Sequence, residues 1–444
     1  MNTRELIEKE FLSRFFCEKR KYAGVELEFP LLSLSGGSVS PQVIGGLIEY
    51  LLKKGFKTDG TDIFGNSVFL INEDGDSLSF DNSYNNFEFA MAKDENLYNV
   101  AVRFYKLYQL VQNYLLPNNH TLCGLGSNPN HAKAETYPVD FPIYRTLRTY
   151  LSDFSGGYFH RYIDFPAWLS SVQTHLDVDA VTLPRALTLF AGMDFVRGLL
   201  FSNSLSFSDD KNHENTLCFR DYLWEHSGFG YLADNTGPVC GEFRTLDDIT
   251  DMIAKKSMFL NYRDGQYSIM KPIQFDTFFD TVGKPSDIEG YLSFKNVEIT
   301  RRGTLEIRSD CAQPLGAAFA PPAFNLGIFY SLSEAESLMQ EFFSLLPIEI
   351  AESPARNKLL RRMVIGGEPL PVKEESVKAL LIKLITLAED SLKERGFGEE
   401  CFIKPLYNRA QMLSCPAKAT KERLEQGELM AQIITDYANP EYII

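Results

Sequence analysis

Tyr22-Ala-Gly-Val-Glu-Leu-Glu-Phe29 alternates along its length, with Val25, Leu27 and Phe29 apolar and Glu26 and Glu28 acidic. Residues two apart on a β-strand share a face, so the carboxylates project together and the apolar side chains point the other way. Pro30 is expected to stop this strand. Two aligned carboxylates beside a core are costly unless they meet water or cations. Divalent-cation ligation is the functional reading. An amphipathic edge strand with a solvated acidic face is the structural one.

The alternation returns three times. In Asp81-Asn-Ser-Tyr-Asn-Asn-Phe-Glu-Phe-Ala90, Asn86 and Glu88 alternate with Phe87 and Phe89. In Ser171-Val-Gln-Thr-His-Leu-Asp-Val178, Gln173, His175 and Asp177 share a face opposite Val172, Leu176 and Val178; Thr174 falls on the apolar side, as a β-former tolerates. In Gly303-Thr-Leu-Glu-Ile-Arg-Ser-Asp310, Glu306, Arg308 and Asp310 alternate with Leu305 and Ile307. Each stretch alone also reads blandly: a half-exposed strand, a hydrogen-bonded core histidine, a Glu–Arg ion pair. Four strands from distant regions, each with polar i,i+2 pairs, point to one shared catalytic face that carries cations. An arginine there can grip a carboxylate or phosphate bidentately and steady developing charge.

Around these strands the pattern is irregular. Helices are expected over 1–20, 43–52, 97–116, 144–150 and 184–200, and strands over 67–71, 77–81 and 121–127. Gly156-Gly157 marks a loop, and 297–299 with 304–308 suggests a hairpin turning at Arg302-Gly303. From about Leu332 the pattern is mainly helical. Strands and helices at irregular spacing fit an α+β unit better than regular βαβ alternation. The expected division is a sheet-based catalytic core over 1–320 and a mainly helical C-terminal region over 321–444.

Composition narrows the function classes. The 44 Lys+Arg stand against 59 Asp+Glu, a formal charge of -15, which disfavours nucleic acid as a partner unless a local basic patch exists. The clusters Glu18–Lys21 and Arg356, Lys358, Arg361 and Arg362 are expected to be solvated faces. Seven cysteines contain no CxxC pair, against a disulfide scaffold or a thiolate zinc site. No membrane span and no signal-peptide core is legible, so a cytoplasmic location is expected.

In their order, these segments resemble the glutamate–cysteine ligase family: Gly24-Val-Glu-Leu-Glu28, Asn86-Phe-Glu-Phe89, Val172-Gln-Thr-His-Leu-Asp177 and Leu305-Glu-Ile-Arg-Ser-Asp-Cys-Ala-Gln-Pro314. Tyr144-Arg-Thr-Leu-Arg-Thr-Tyr150, Cys218-Phe-Arg-Asp-Tyr-Leu-Trp224 and Ala186–Ser204 look similar too. The resemblance spans about residues 20–315. It implies a glutamine synthetase-like α+β fold in which a curved, largely antiparallel sheet forms a funnel packed by helices. It also implies an ATP-dependent ligase joining the γ-carboxylate of glutamate to a small amine, cysteine foremost, through a γ-glutamyl phosphate. By the same resemblance Glu26, Glu28, Glu88, His175 and Glu306 would hold two or more Mg²⁺ ions, with Mn²⁺ as a substitute. Glu26 would share in catalysis, Arg220 and Arg308 would contact glutamate and the transferred phosphoryl group, and Arg148 and Gln173 would be further substrate contacts. The product would enter glutathione biosynthesis. The stretch Asn82-Ser-Tyr-Asn-Asn86 lacks the glycine-rich approach of plant members, and no acceptor-binding element is legible near the C-terminus. Another amino acid, amine or peptide as acceptor therefore stays open, as do guanidine phosphorylation and a catalytically silent small-molecule-binding protein.

Overall fold

The computed structural model describes residues 2–153, 162–207 and 213–442; the Gly156-Gly157 loop lies outside them. Thirteen strands are described: β1 Ala23–Ser33, β2 Lys57–Thr61, β3 Ser67–Ile71, β4 Ser77–Phe80, β5 Asn86–Asp94, β6 His120–Leu122, β7 Ser171–Leu176, β8 Thr236–Gly237, β9 Ser257–Arg263, β10 Gln266–Gln274, β11 Phe294–Lys295, β12 Val297–Ile299 and β13 Leu305–Cys311. The main sheet runs β12-β13-β7-β1-β5-β4-β3-β2, with β6 on the far end of β1. Its pairings are antiparallel. β9 pairs with β10, and β8 with β11.

The α+β class holds, but the funnel does not. The main sheet is open, with β12 and β2 as edges, and it is neither closed nor strongly curled. Closure needs the two edges to pair. β2 is a poor partner: Lys57-Thr-Asp-Gly-Thr61 is mostly exposed, and its register against β3 shifts twice. Polar, irregular edges resist further pairing.

The alternation in β1 sorts as its sequence demands. Val25, Leu27 and Phe29 are buried in the main core, where Phe29 meets Phe89, Phe104 and Tyr108. Phe104 and Tyr108 come from the helix Leu97–Leu115, capped by Asn96, whose buried residues recur every three or four positions. Pro30 does not end the strand. It stands at the point where β1 leaves β5 and β7 and picks up β6 through Leu31–Ser33, so no ladder requires its missing N–H.

A second correction falls in β13. Ile307 faces Thr174, but Asp310 faces Val172, because a bulge inserts one residue between them. Asp310 is thereby turned off the Glu306–Arg308 face into the apolar layer. There it accepts a hydrogen bond from Asn325 of the helix Ala320–Tyr330. Burial pushes its carboxyl up to about 6.

Behind β13 a buried ion network ties distant segments together. Arg197 donates to Asp194 at 2.9 Å, Asn296 donates to the same carboxylate at 2.6 Å, and Arg361 spans from the Asp194 carbonyl to Asp221. Arg361 is 1% exposed, so the basic cluster expected as a solvated face supplies a core crosslink instead. Burial opposes the charged form of Asp194, yet Arg361, Arg197 and Asn296 outweigh it and hold the carboxyl below its usual range. A depressed pKa contributes stability that is complete above the unfolded value and is lost as pH falls through the folded one. We therefore expect Asp194→Asn to lower the melting temperature at pH 7 and to flatten the loss of stability below about pH 4; parallel acid-denaturation curves for both proteins would contradict this.

Candidate functional site: a carboxylate and arginine face

The register of the central strands brings the charged residues onto one face. Glu306 of β13 stands opposite His175 of β7, which stands opposite Gly24 of β1. Gly24 leaves the imidazole its room, since a Cβ there would lie 3.2 Å from the His175 Cβ. Glu26 stands opposite Gln173, and Glu28 opposite Glu88 of β5, which in turn faces Ser79 of β4.

Two groups emerge. In the first, Nε2 of His175 lies 3.2 Å from Glu26 and 3.7 Å from Glu306, while its Nδ1 meets the Thr304 hydroxyl at 3.1 Å. One ligand atom from each of Glu26, His175 and Glu306 falls within 4.8 Å of the others, so the trio can hold a metal ion. Burial opposes ionisation of Glu26, but His175, Arg302 and Arg308 pull its pKa down to about 2. Burial also opposes the charged imidazole, and Glu306 with Glu26 raises the His175 pKa despite it.

In the second group, burial and repulsion between carboxylates outweigh the positive charge nearby. Glu28 accepts from the Ser171 amide and the Gln173 amide group, both at 2.8 Å. Burial and the neighbouring Asp81 nevertheless push its pKa up to about 7. Glu88, whose bond is to the Ser79 hydroxyl at 3.2 Å, is also raised well above the usual carboxylate range, by burial and then by Glu26, Asp81 and Glu28. Buried carboxylates that repel one another to this degree suit a divalent cation, which would remove the conflict. Oxygen donors with a single imidazole match Mg²⁺ or Mn²⁺ better than a thiophilic metal.

The arginines divide. Arg308 donates to Glu306 at 2.5 Å and lines a small cleft together with Arg220, Trp224, Gly237 and Asn296. Both arginines lower the pKa of Glu28. Arg220 lies near the start of the helix Phe219–Glu225 and is held there by its amide bond to Ser204. The next residue, Asp221, is the one Arg361 grips. Arg148 lies apart, bonded to Asp140 at 3.3 Å and to the Val139 carbonyl. From the helix Pro142–Asp153 that carries Arg148, it is Tyr144 that reaches the carboxylates: burial, and then Asp81, Glu88 and Glu28, raise its pKa. Tyr144→Phe is accordingly expected to reduce any metal-dependent activity about tenfold. Arg148→Ala should change it less than twofold, and steady-state rates with the reverse ranking would restore Arg148 to the site.

Asp81, Tyr144, Ser79, Thr304 and Arg302 were not anticipated. For Ser79 and Asp81 the signal existed: β4 obeys the same two-residue period, so Ser77, Ser79 and Asp81 share the face of Glu88. Asp177, expected on the shared face, lies just past the end of β7 and fastens the Lys19–Lys21 segment through the amides of Arg20 and Lys21 and the Lys19 ammonium. Beyond Glu26 and His175 opens a cavity of about 900 Å³, rimmed by Arg14, Lys19, Arg20, Lys93 and Arg302. Glu18, Lys19 and Arg20 of the mixed cluster line this cavity, while Glu18, Arg20 and Lys21 stay exposed, as expected of a solvated face.

No family model matches the chain. It is 23% identical over 295 residues to the chloroplastic glutamate–cysteine ligase of Brassica juncea, covering 63% of this chain and 54% of that protein. With the chloroplastic enzyme of the same name from Arabidopsis thaliana it shares 24% over 248 residues, 52% and 45% of the two lengths. Among solved structures it is similar in fold to the Francisella tularensis glutamate–cysteine ligase in complex with AMP, with a TM-score of 0.54, 13% identity, and 95% and 89% of the two chains covered. In sequence the chain is similar to the plant glutamate–cysteine ligases, and in fold to the bacterial one. It spans about half the length of the plant proteins it matches.

Proposed function

We propose that the chain is an ATP-dependent ligase that activates the γ-carboxylate of glutamate and joins it to an amine, with cysteine the foremost acceptor. The observation that carries this reading is the convergence, on one sheet face, of Glu26, His175 and Glu306, the opposed pair Glu28 and Glu88, and Arg308, which shares a cleft with Arg220 of the helix Phe219–Glu225. In this reading ATP takes the cation-rimmed cavity, with its phosphates directed toward Glu26, and glutamate takes the arginine cleft. Similarity to the plant and bacterial glutamate–cysteine ligases supports it.

The chemistry explains the charges. A γ-carboxylate oxygen attacks the terminal phosphorus and ADP leaves; the amine nitrogen then attacks the acyl carbon, phosphate leaves, and the amine gives up a proton. Bound Mg²⁺ supplies charge neutralisation along the nucleotide phosphates. Glu26, Glu28, Glu88, His175 and Glu306 would hold it. Arg308 and Arg220 orient the carboxylate and offset charge on the transferred group. Gln173 holds Glu28 through one end of its amide, while its buried Oε1 has no partner among the described residues and is available to a substrate donor. The nucleophiles are the substrates' own, so no side chain serves as one.

The test is an amino-acid and amine panel with glutamate, ATP and Mg²⁺, reading ADP and product mass together. We expect glutamate-dependent ADP release that rises on adding an amine, together with a γ-glutamyl amide of matching mass. ADP release indifferent to both glutamate and amine, with no such product, would overturn the reading and favour another phosphoryl transfer or a silent binding protein.

A further inference from the structure

The two-stranded ribbon β8–β11 separates two cavities. On one side Phe294 stacks on Trp224 and faces the cleft of Arg220 and Arg308. On the other, the adjacent Lys295 lines a cavity of about 460 Å³ together with Lys256 and Lys358. That volume is within the range of small-molecule sites.

Two of the three lysines have little charge opposing them. The Lys256 side chain is 5% exposed and paired with Glu298 at 2.6 Å. The Lys295 side chain is 12% exposed, yet the carboxylate it meets, Asp234 at 3.1 Å, is 82% exposed and so gives weak compensation. Lys358 makes no ion pair among the described residues. Burial, reinforced by repulsion from Lys256 and Lys358, holds Lys295 below the usual lysine range despite Asp234. The other acidic groups of the cavity have contacts of their own, and Asp251 and Glu242 are exposed to solvent. Asp248 accepts from the amides of Arg244 and Thr245, Asp251 lies 3.7 Å from Arg4, and Glu242 lies 3.6 Å from Arg244.

We propose that this cavity is an anion site separate from the carboxylate and arginine face, taking a small molecule with two or more carboxylate or phosphate charges between Lys295 and Lys358, with Lys256 held behind them by Glu298 and Ser293. A partly buried ammonium with an exposed partner gains most from a ligand that displaces solvent and brings its own charge. The site lies behind the ribbon and does not depend on the reaction proposed above.

The test is calorimetric titration of the full chain, without added metal, using citrate and inorganic phosphate as separate probes. One equivalent of either probe should bind saturably: citrate the tighter if the site reads carboxylates, phosphate the tighter if it reads phosphates. Lys358→Met strands no partner and should weaken that binding about tenfold. Lys295→Met combined with Lys358→Met should abolish it, and Arg308→Ala should leave it intact. Absence of binding by both probes, or unchanged affinity in Lys358→Met, would overturn the proposal. Loss in Arg308→Ala alone would move the anion to the arginine cleft and overturn it equally. A melting curve of each variant establishes folding, and Lys358→Met decides the question if the double variant unfolds.

Discussion

Glu28→Gln is expected to abolish the proposed ligase turnover while leaving the metal-free chain as stable as before or more so, whereas Glu26→Gln should lose both that activity and stability. The two carboxylates are neighbours on one strand face, but their surroundings differ in sign. Glu28 has its pKa pushed up to about 7 by burial and by Asp81. A raised folded pKa favours the protonated form. Its contribution to stability is complete below the unfolded value near 4.3 and is lost as pH rises through about 7. At pH 8 the ionised group therefore costs stability on the order of 3–4 kcal/mol, which a neutral glutamine avoids. Glu26 runs the other way. With His175 and Arg302 against it the pKa is about 2, so its contribution is present at neutral pH and disappears only as pH falls through that value. Glutamine there leaves His175 with one carboxylate fewer. Melting curves at pH 8 without metal, paired with glutamate-dependent ADP release, read both effects. Added Mg²⁺ should raise the wild-type midpoint and leave Glu28→Gln nearly unmoved. A Glu28→Gln variant that turns over normally, or that melts below the wild type at pH 8, would sink the metal-face assignment.

How much of this was legible in the chain depends on how local the cause is. Glu26, Glu28, Glu88, His175 and Glu306 were readable because a period of two requires only that a strand form, and antiparallel pairing then aligned the strands. Asp310 was misplaced by the same rule, because a single inserted residue reverses the face and no residue type between Ile307 and Asp310 announces the bulge. Pro30 misled for a related reason: a proline halts a ladder only where its N–H is required, and partner exchange removes that requirement. Arg361 was beyond local reading altogether. An arginine on a helix with Arg356, Lys358 and Arg362 reads as solvated until Asp194 and Asp221, more than a hundred residues earlier in sequence, are seen to enclose it. The open sheet, likewise, is decided by a pairing that β2 and β12 do not make. That outcome belongs to tertiary structure rather than to any one strand.

Arg308→Lys carries the second large effect, a fall in kcat of about 10³ with the fold preserved. Arg308 bonds Glu306, faces the cleft shared with Arg220, and is held above the ordinary arginine range by Glu306, Glu26 and Glu28 despite its burial. Its amide also donates to the Asn296 carbonyl, so the backbone position is fixed independently of the side chain. Lysine keeps the charge that balances Glu306 but presents a point ammonium in place of a planar fork. Stability should therefore change little, and the loss should fall on the step that needs two donors aimed at one group. Hydroxylamine trapping distinguishes that step, because it intercepts an activated glutamate as the hydroxamate without the natural acceptor. Hydroxamate formation and amide formation should fall together in Arg308→Lys. Hydroxamate kept at the wild-type rate while the amide is lost would move Arg308 from carboxylate activation to acceptor binding. Arg308→Ala separates charge from geometry: with Glu306 and Glu26 left unbalanced, it should cost about 3 kcal/mol of stability, and Mg²⁺ should restore part of that loss but not the turnover.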